Sequence, residues 1–152
     1  MGQLDHFSSQ LPKNFKKKGG AAAPKITGIL ELLGEWKRVF ETDKVVIGGD
    51  FNLVPDKWID RYPPKGQSHN YEDIITKFIA NGDLIDFLRS NNSDSRQYTW
   101  FNSANNGQCS RLDYWLLSTN LISKVRSCFI SRSPLTDHCA IFISLQLFDS
   151  KH

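Results

Sequence analysis

The sequence predicts a mixed α/β fold, because three of its segments have the periodicities of helix and strand. Between residues 26 and 40 the apolar side chains recur at steps of three and four, which is the period of an amphipathic helix. Residues 45–47 are a β-branched run closed by Gly48-Gly49, typical of a buried strand that ends at a tight turn. Residues 140–145 are apolar at both odd and even positions, as expected for a strand that is covered on both faces.

The region after the first strand predicts a loop and then a second helix. Residues 53–70 are rich in Pro, Lys and Asp, and Pro63-Pro64 and Gly66 break any regular element there. The second helix is marked by apolar residues at positions 74, 75, 78 and 79. It ends near Asn81-Gly82, a usual C-terminal signal.

The second half of the chain is predicted to be mostly strand. Strands are indicated at residues 98–101, 111–116 and 125–130. A turn at residues 105–107 leads into the second of these, and a short segment at 118–122 precedes the third. Residues 84–88 are apolar, and the pattern leaves their type open.

The composition is that of one folded domain preceded by a basic leader. The 152 residues are 39% hydrophobic and 12% aromatic, which excludes wholesale disorder, collagen-like repeats and a coiled coil. Residues 1–25 contain five lysines and one acid, whereas the remainder has 14 basic and 15 acidic residues. Residues 1–25 are therefore interpreted as a flexible basic leader, with phosphate contact or nuclear import as the alternatives for its lysine run, and residues 26–148 as the folded part.

Cysteine usage and hydropathy bear on the compartment. Three cysteines at wide intervals favour neither a disulfide framework nor a cysteine-based zinc site. No apolar run approaches the roughly 18 residues of a membrane span, and the N-terminus lacks the apolar stretch of a signal peptide. We therefore expect a nuclear or cytoplasmic protein with reduced thiols and no contact with a membrane.

Polar groups follow or precede several predicted strands, which suggests a chemical site. In Asp50-Phe51-Asn52 the alternation of an extended segment places the carboxylate and the amide on one side. A carboxylate can activate a water while an amide donates to a phosphoryl oxygen, so this pair suits phosphodiester hydrolysis. By itself the tripeptide is as typical of a turn.

The dipeptide Asp137-His138 precedes the last predicted strand. A carboxylate oxygen suits a hard cation such as Mg²⁺, and an imidazole can act as acid, base or charge stabiliser near neutral pH. A catalytic imidazole also needs a carboxylate that orients its other nitrogen, and Asp113 is the expected partner. For an isolated pair, a turn cap beside a half-buried histidine would be the simpler interpretation.

Taken together, six motifs resemble the C-terminal half of the endonuclease/exonuclease/phosphatase superfamily, and most closely the endonuclease domains of LINE-type (non-LTR) retrotransposons. The similarity extends over about residues 26–147. The motifs, in chain order, are Gly48-Gly49-Asp50-Phe51-Asn52, Asp60-Arg61, Asp83-Leu84-Ile85-Asp86, Tyr98-Thr99-Trp100-Phe101, Ser110-Arg111-Leu112-Asp113-Tyr114 and Thr136-Asp137-His138. The implied fold is the C-terminal half of a two-sheet α/β sandwich with helices outside.

The resemblance also implies roles for individual residues. Asp50 would position or deprotonate the attacking water, and Asn52 would hold the scissile phosphate. Asp137 would ligate Mg²⁺, while His138, oriented by Asp113, would stabilise charge on the phosphate. Contacts with nucleic acid are expected of Arg61, Thr99, Ser110 and Arg111.

The chain departs from the family in its first part. The resemblance implies a preceding half of the domain that supplies a strand with an Asn and a strand with the Glu metal ligand, and residues before 26 contain neither pattern. With Asp137 as the one remaining carboxylate ligand, a weak Mg²⁺ site is expected. The inner face of the remaining sheet would then be uncovered, and another chain could complete the domain.

Three functions are compatible with these features. The first is a Mg²⁺-dependent DNA endonuclease of retrotransposon type. The second is an inactive remnant that binds nucleic acid or a protein. The third is a hydrolase of the superfamily's phosphoinositide or sphingomyelin branch, which the Asp60-Arg61 and Tyr98-Thr99 motifs favour least.

Overall fold

A computed structural model of the chain describes residues 22–64, 72–104 and 107–147. Most of the predicted basic leader, Gly66 of the predicted loop and Asn105-Asn106 of the predicted turn lie outside these residues. The elements in chain order are α1 (Ala22–Val39), β1 (Val46–Asp50), β2 (Arg61–Tyr62), α2 (Glu72–Asn81), β3 (Leu84–Asp86), α3 (Phe87–Asn91), β4 (Trp100–Phe101), β5 (Cys109–Ser110), β6 (Asp113–Ser118), a 3₁₀ helix (Thr119–Lys124), β7 (Val125–Ser131) and β8 (Ala140–Leu145).

The strands form three small antiparallel sheets. The first has the order β1-β6-β3, the second β2-β5-β4, and β7 pairs with β8 in the third. In the first sheet Asp50 is the register partner of Asp113, and Val46 is the partner of Leu117. The chain thus brings the two predicted acidic strand ends side by side.

Strand β6 lies at the centre of the fold because its two faces contact different layers. Tyr114 and Leu116 are buried in a core with Leu33 of α1 and with Ile75 and Phe78 of α2. On the other face, Leu117 and Trp115 pack with Phe87, Leu121 and the inward residues of β7 and β8. A strand with alternate residues in two cores is the expected middle of a layered structure. The predicted α/β sandwich with helices outside is confirmed.

Several predicted boundaries moved, and two of the shifts have a visible physical cause. Helix α1 begins at Ala22, four residues before the start of the apolar period, because alanine has the highest helix propensity. Strand β1 does not end at Gly48-Gly49 as predicted but continues to Asp50. A Cβ on Gly48 would come within 2.3 Å of the Trp115 ring, so this glycine permits close packing inside the strand rather than a turn.

The prediction that both faces of β8 are covered is wrong for the described chain. Exposed and half-buried residues alternate along the strand, and Phe142 is 45% exposed. Its ring stacks on Phe129 of β7, which is 50% exposed, at a centroid distance of 5.0 Å. The segment whose type was open, residues 84–88, divides into β3 and the start of α3, and the carboxylate of Asp86 caps the helix.

Candidate active site

The end of strand β1 leads directly into a hydrogen-bonded acid and amide. One oxygen of the Asp50 carboxylate accepts from the backbone N–H of Asn52 at 2.9 Å, and the other accepts from its Nδ2 at 3.2 Å. This closed arrangement is possible because Asn52 has a positive φ of 53°, a conformation that asparagine tolerates better than most residues. Both side chains lie at the exposed end of the first sheet.

His138 and Asp113 form the predicted pair. The imidazole Nδ1 lies 3.0 Å from Asp113 Oδ2, and the two side chains are 33% and 12% exposed, respectively. Since Nδ1 faces the carboxylate, Nε2 is the ring nitrogen that remains for another partner. The structure therefore brings together the three residues Asp50, Asp113 and His138, which come from β1, from β6 and from the loop before β8.

A buried threonine positions this pair. Thr99 Oγ1 accepts from the backbone N–H groups of Leu112 and Asp113 at 2.9 and 3.0 Å, and its carbonyl accepts from the N–H of Cys139. The side chain is fully buried, so it cannot touch a nucleic acid, and the contact predicted for it is corrected. Ser110 is 3% exposed, and the same correction applies to it.

Asp137 is attached to strand β4. Its Oδ2 accepts from Trp100 Nε1 at 2.9 Å, its carbonyl accepts from the N–H of Phe101 at 2.9 Å, and Trp100 forms an isolated bridge with His138. In the sequence, Trp100 stands out only as one residue of a strand motif. The indole N–H, a donor that needs a polar partner when the ring is half-buried, was the signal that could have indicated this role.

Arg111 is a structural residue and not a contact with nucleic acid, so that prediction is corrected. Its side chain is 1% exposed, and its guanidinium binds Asp60 through Nε at 2.7 Å and Asp86 through Nη2 at 2.6 Å. Arg89 also forms a salt bridge with Asp60. Burial works to lower the pKa of Arg111, but the hydrogen bonds to Asp60 and Asp86 outweigh it and raise the pKa above its ordinary value.

Arg61 remains an expected nucleic-acid contact. It lies in β2 opposite Ser110, and it is half-buried. The adjacent Asp60 of the same motif points into the ion cluster with Arg111 and is fully buried. The Asp60-Arg61 dipeptide therefore has one residue in the core and one near the surface.

A cleft of about 680 Å³ adjoins His138 and Asp137. One wall is the end of β4 with Phe101 and the residues that follow it, and the other is the loop of residues 132–139. Asp137 and His138 both line this cleft, so it is the concave surface next to the predicted site.

The oxygen and nitrogen donors near His138 bear on the expected Mg²⁺ site. Within residues 22–64, 72–104 and 107–147 there is no group of three or more His, Cys, Asp or Glu side chains that could hold a metal ion. A hard cation generally needs several oxygen ligands, and one oxygen of Asp137 is already engaged by Trp100. The described residues alone therefore do not fit a complete Mg²⁺ site.

The sequence between residues 20 and 138 matches the model of the Endonuclease/Exonuclease/phosphatase family. This range is most of the chain, and the chain belongs to that family.

Among particular relatives, the chain is 28% identical over 130 residues to the "Transposon TX1 uncharacterized 149 kDa protein" of Xenopus laevis, a match that covers 84% of this chain and 10% of that protein. The fold is similar to that of the 3′ phosphatase NExo from Neisseria bound to a product DNA hairpin, with a TM-score of 0.68, 19% identity, and 80% and 51% of the two chains covered. An AP endonuclease from Archaeoglobus fulgidus gives a TM-score of 0.65 at 17% identity, with 83% and 55% covered. The chain thus spans about half the length of these solved structures and a tenth of the transposon protein.

Within the described residues, no helix is long and apolar enough to cross a bilayer.

Proposed function

We propose that the chain carries the phosphate-binding edge of a DNA endonuclease of retrotransposon type. The observation that supports this most directly is the 3.0 Å contact between His138 Nδ1 and Asp113 Oδ2, with Asp50 directly across the sheet from Asp113. The similarity of the chain to a transposon protein favours DNA as the substrate over a phosphoinositide.

The residues divide the chemistry of phosphodiester hydrolysis among them. Asp113 accepts from the Nδ1–H of His138, and in the imidazolium form of the ring Nε2–H donates to a non-bridging phosphate oxygen and stabilises its developing charge. Asp50 accepts a proton from the attacking water, or orients it. The Asn52 amide, which lies beside Asp50, also donates to the phosphate.

Nucleases of this family generally use divalent metals, and Mg²⁺ would supply further neutralisation of the phosphate charge. Because the described residues do not form a complete Mg²⁺ site, the roles above are assigned to protein groups alone. Asp137 is the described residue whose carboxylate we propose to face such an ion.

Nicking of supercoiled plasmid by the purified chain, with Mg²⁺ and with EDTA, tests the proposal. We expect nicking with Mg²⁺ that falls about 100-fold or more in His138→Ala, because a group that stabilises transition-state charge is removed. Asp94→Asn, an exposed carboxylate outside the site, is the matched control and should nick like the parent. A parent chain that does not nick, or a His138→Ala variant as fast as the parent, would overturn the proposal.

The other functions give different results in the same set of assays. A remnant that only binds would retain salt-sensitive DNA binding without cleavage. A lipid-directed hydrolase would release phosphate from a phosphoinositide and leave the plasmid intact.

A further inference from the structure

An arginine that no sequence motif included lies in the wall of the cleft beside His138. Arg132 follows the last residue of β7, and its guanidinium carbon lies 4.4 Å from the centroid of the Phe101 ring. The side chain is exposed, and Phe101 is half-buried at the end of β4. A cation over an aromatic face is attracted by the ring's quadrupole, so the position of the Arg132 guanidinium is restricted.

Arg132 gives this cleft a positive charge close to the proposed reacting phosphate. Among the described residues that line the cleft, it is the one lysine or arginine, and His138 lines the same space.

The loop that carries Arg132 also presents an apolar side chain at the cleft. Leu135 lines the cleft and is 90% exposed, after Pro134 in the same loop. A guanidinium next to an exposed apolar side chain matches the surface of a nucleic-acid strand, in which phosphates alternate with sugar and base faces.

We propose, resting on the function proposed above, that the loop of residues 132–139 is a DNA-strand subsite. In it Arg132 binds a backbone phosphate next to the one at His138, and Leu135 contacts the adjoining sugar or base. Arg132 forms charge-assisted hydrogen bonds with the phosphate, for which the planar guanidinium is well suited. Asp137 in the same cleft repels phosphate, so the cation of Arg132, five residues earlier in the same loop, favours one position of the strand.

Fluorescence anisotropy of the full chain with a short fluorescein-labelled DNA duplex, in EDTA and over a range of NaCl concentrations, tests the subsite without turnover. Arg132→Ala should weaken binding about tenfold. It should also reduce the slope of log affinity against log salt by about 0.9, because one phosphate contact is lost. Leu135→Ala should weaken binding and leave the slope unchanged, and Arg132→Lys should retain the slope.

Arg126→Ala is the matched control. Arg126 is also an exposed arginine of the β7 hairpin, but it lies at the other end of the strand, where its guanidinium donates to Gln146. If Arg126→Ala and Arg132→Ala weaken binding equally, the effect is one of net charge and the subsite is overturned. Circular dichroism of each variant verifies that the fold is retained.

The outcomes separate this inference from the proposed function. If the parent nicks plasmid and Arg132→Ala binds like the parent, only the subsite is wrong. If binding depends on Arg132 but the parent does not nick, the hydrolytic function is wrong and the subsite stands. A parent that neither binds the duplex nor nicks the plasmid overturns both.

Discussion

Asp50 and Asp113 are directly opposed register partners at one end of the β1–β6 pair. Opposed residues in an antiparallel pair have Cα atoms about 4.5–5.5 Å apart, and like charges in such a pair are destabilising. Each carboxylate has a separate partner, since Asp50 accepts from Asn52 and Asp113 contacts His138. The sheet can therefore present two acids at the same edge.

The coupling of Asp113 to His138 can be measured by a double-mutant cycle in plasmid nicking. We expect Asp113→Asn to reduce the rate about 100-fold, because the imidazole loses the group that orients it. The double variant Asp113→Asn/His138→Ala should be no slower than His138→Ala alone, since residues that act as a unit are non-additive. Multiplied effects in the double variant would show that the two act independently.

Asn52 combines a backbone role and a side-chain role that substitution can separate. Asn52→Gly keeps a residue that adopts a positive φ at no steric cost but removes the amide. Its free energy of unfolding should stay within about 0.5 kcal/mol of the parent, whereas nicking should fall about 100-fold. Asn52→Ala should lose the same activity and about 1 kcal/mol of stability as well, measured by urea unfolding. Parent-like nicking by Asn52→Gly would contradict the role of the amide.

Gly48 should not accept a side chain. A Cβ there would meet the Trp115 ring at 2.3 Å, so we expect Gly48→Ala to lower the free energy of unfolding by about 1–3 kcal/mol. The matched change Gly34→Ala, in α1 with nothing within 4 Å of the added Cβ, should raise it by about 0.5–1 kcal/mol. Urea denaturation of both variants gives the comparison, and a neutral Gly48→Ala would show that Trp115 can move aside.

Arg111 should be essential for stability. Arg111→Met leaves Asp60 and Asp86 buried with less compensation, and breaking a buried pair in this way typically costs about 3–5 kcal/mol. The same substitution at exposed Arg126 should change the free energy of unfolding by less than about 0.5 kcal/mol. Thermal and urea unfolding would detect the difference, and equal effects would refute the structural role of the cluster.

Tyr114 should make the fold sensitive to alkali. Burial raises the pKa of its hydroxyl well above the ordinary value of 10.0, so the unfolded chain loses this proton first as the pH rises. The contribution of the Tyr114 hydroxyl to stability is present below pH 10 and is lost above it. Above pH 10, the free energy of unfolding of the parent should therefore fall by about 1.4 kcal/mol per pH unit more than that of Tyr114→Phe. At neutral pH the variant should be about 1 kcal/mol less stable, because the hydroxyl contacts the carbonyls of Leu53 and Arg111. Parallel pH profiles of the two proteins would contradict this.

The predicted catalytic residues lie close together in the structure because their positions relative to the strand ends could be recognised from the local sequence. Asp50, Asp113 and His138 each stand where a strand begins or ends or just before one, so pairing of the strands suffices to bring them together. The position of Gly48 inside a strand was not predictable, since it depends on Trp115, which is far away in sequence.

The burial of charged and polar residues was the main feature that could not be predicted from the sequence. Arg111 and Thr99 stand in motifs that suggest contact with nucleic acid, but they are covered in the fold by Asp60, Asp86 and the backbone around Asp113. Arginine is almost never fully buried unless it is paired, and the pairing partners are 25 or more positions away in the chain. Arg132 was missed for the opposite reason, since its position over Phe101 follows from tertiary packing and from no motif.

The ion cluster around Arg111 also leads us to expect a particular order of events during folding. Arg111 and Asp60 are 51 residues apart, so their contact closes a long loop, and such non-local contacts form later than helices. Arg111 precedes Asp113 by two residues, and its backbone N–H donates to the carbonyl of Asp60. A refolding chain should therefore regain its helical circular dichroism first and assemble the Asp113–His138 pair in the final stage.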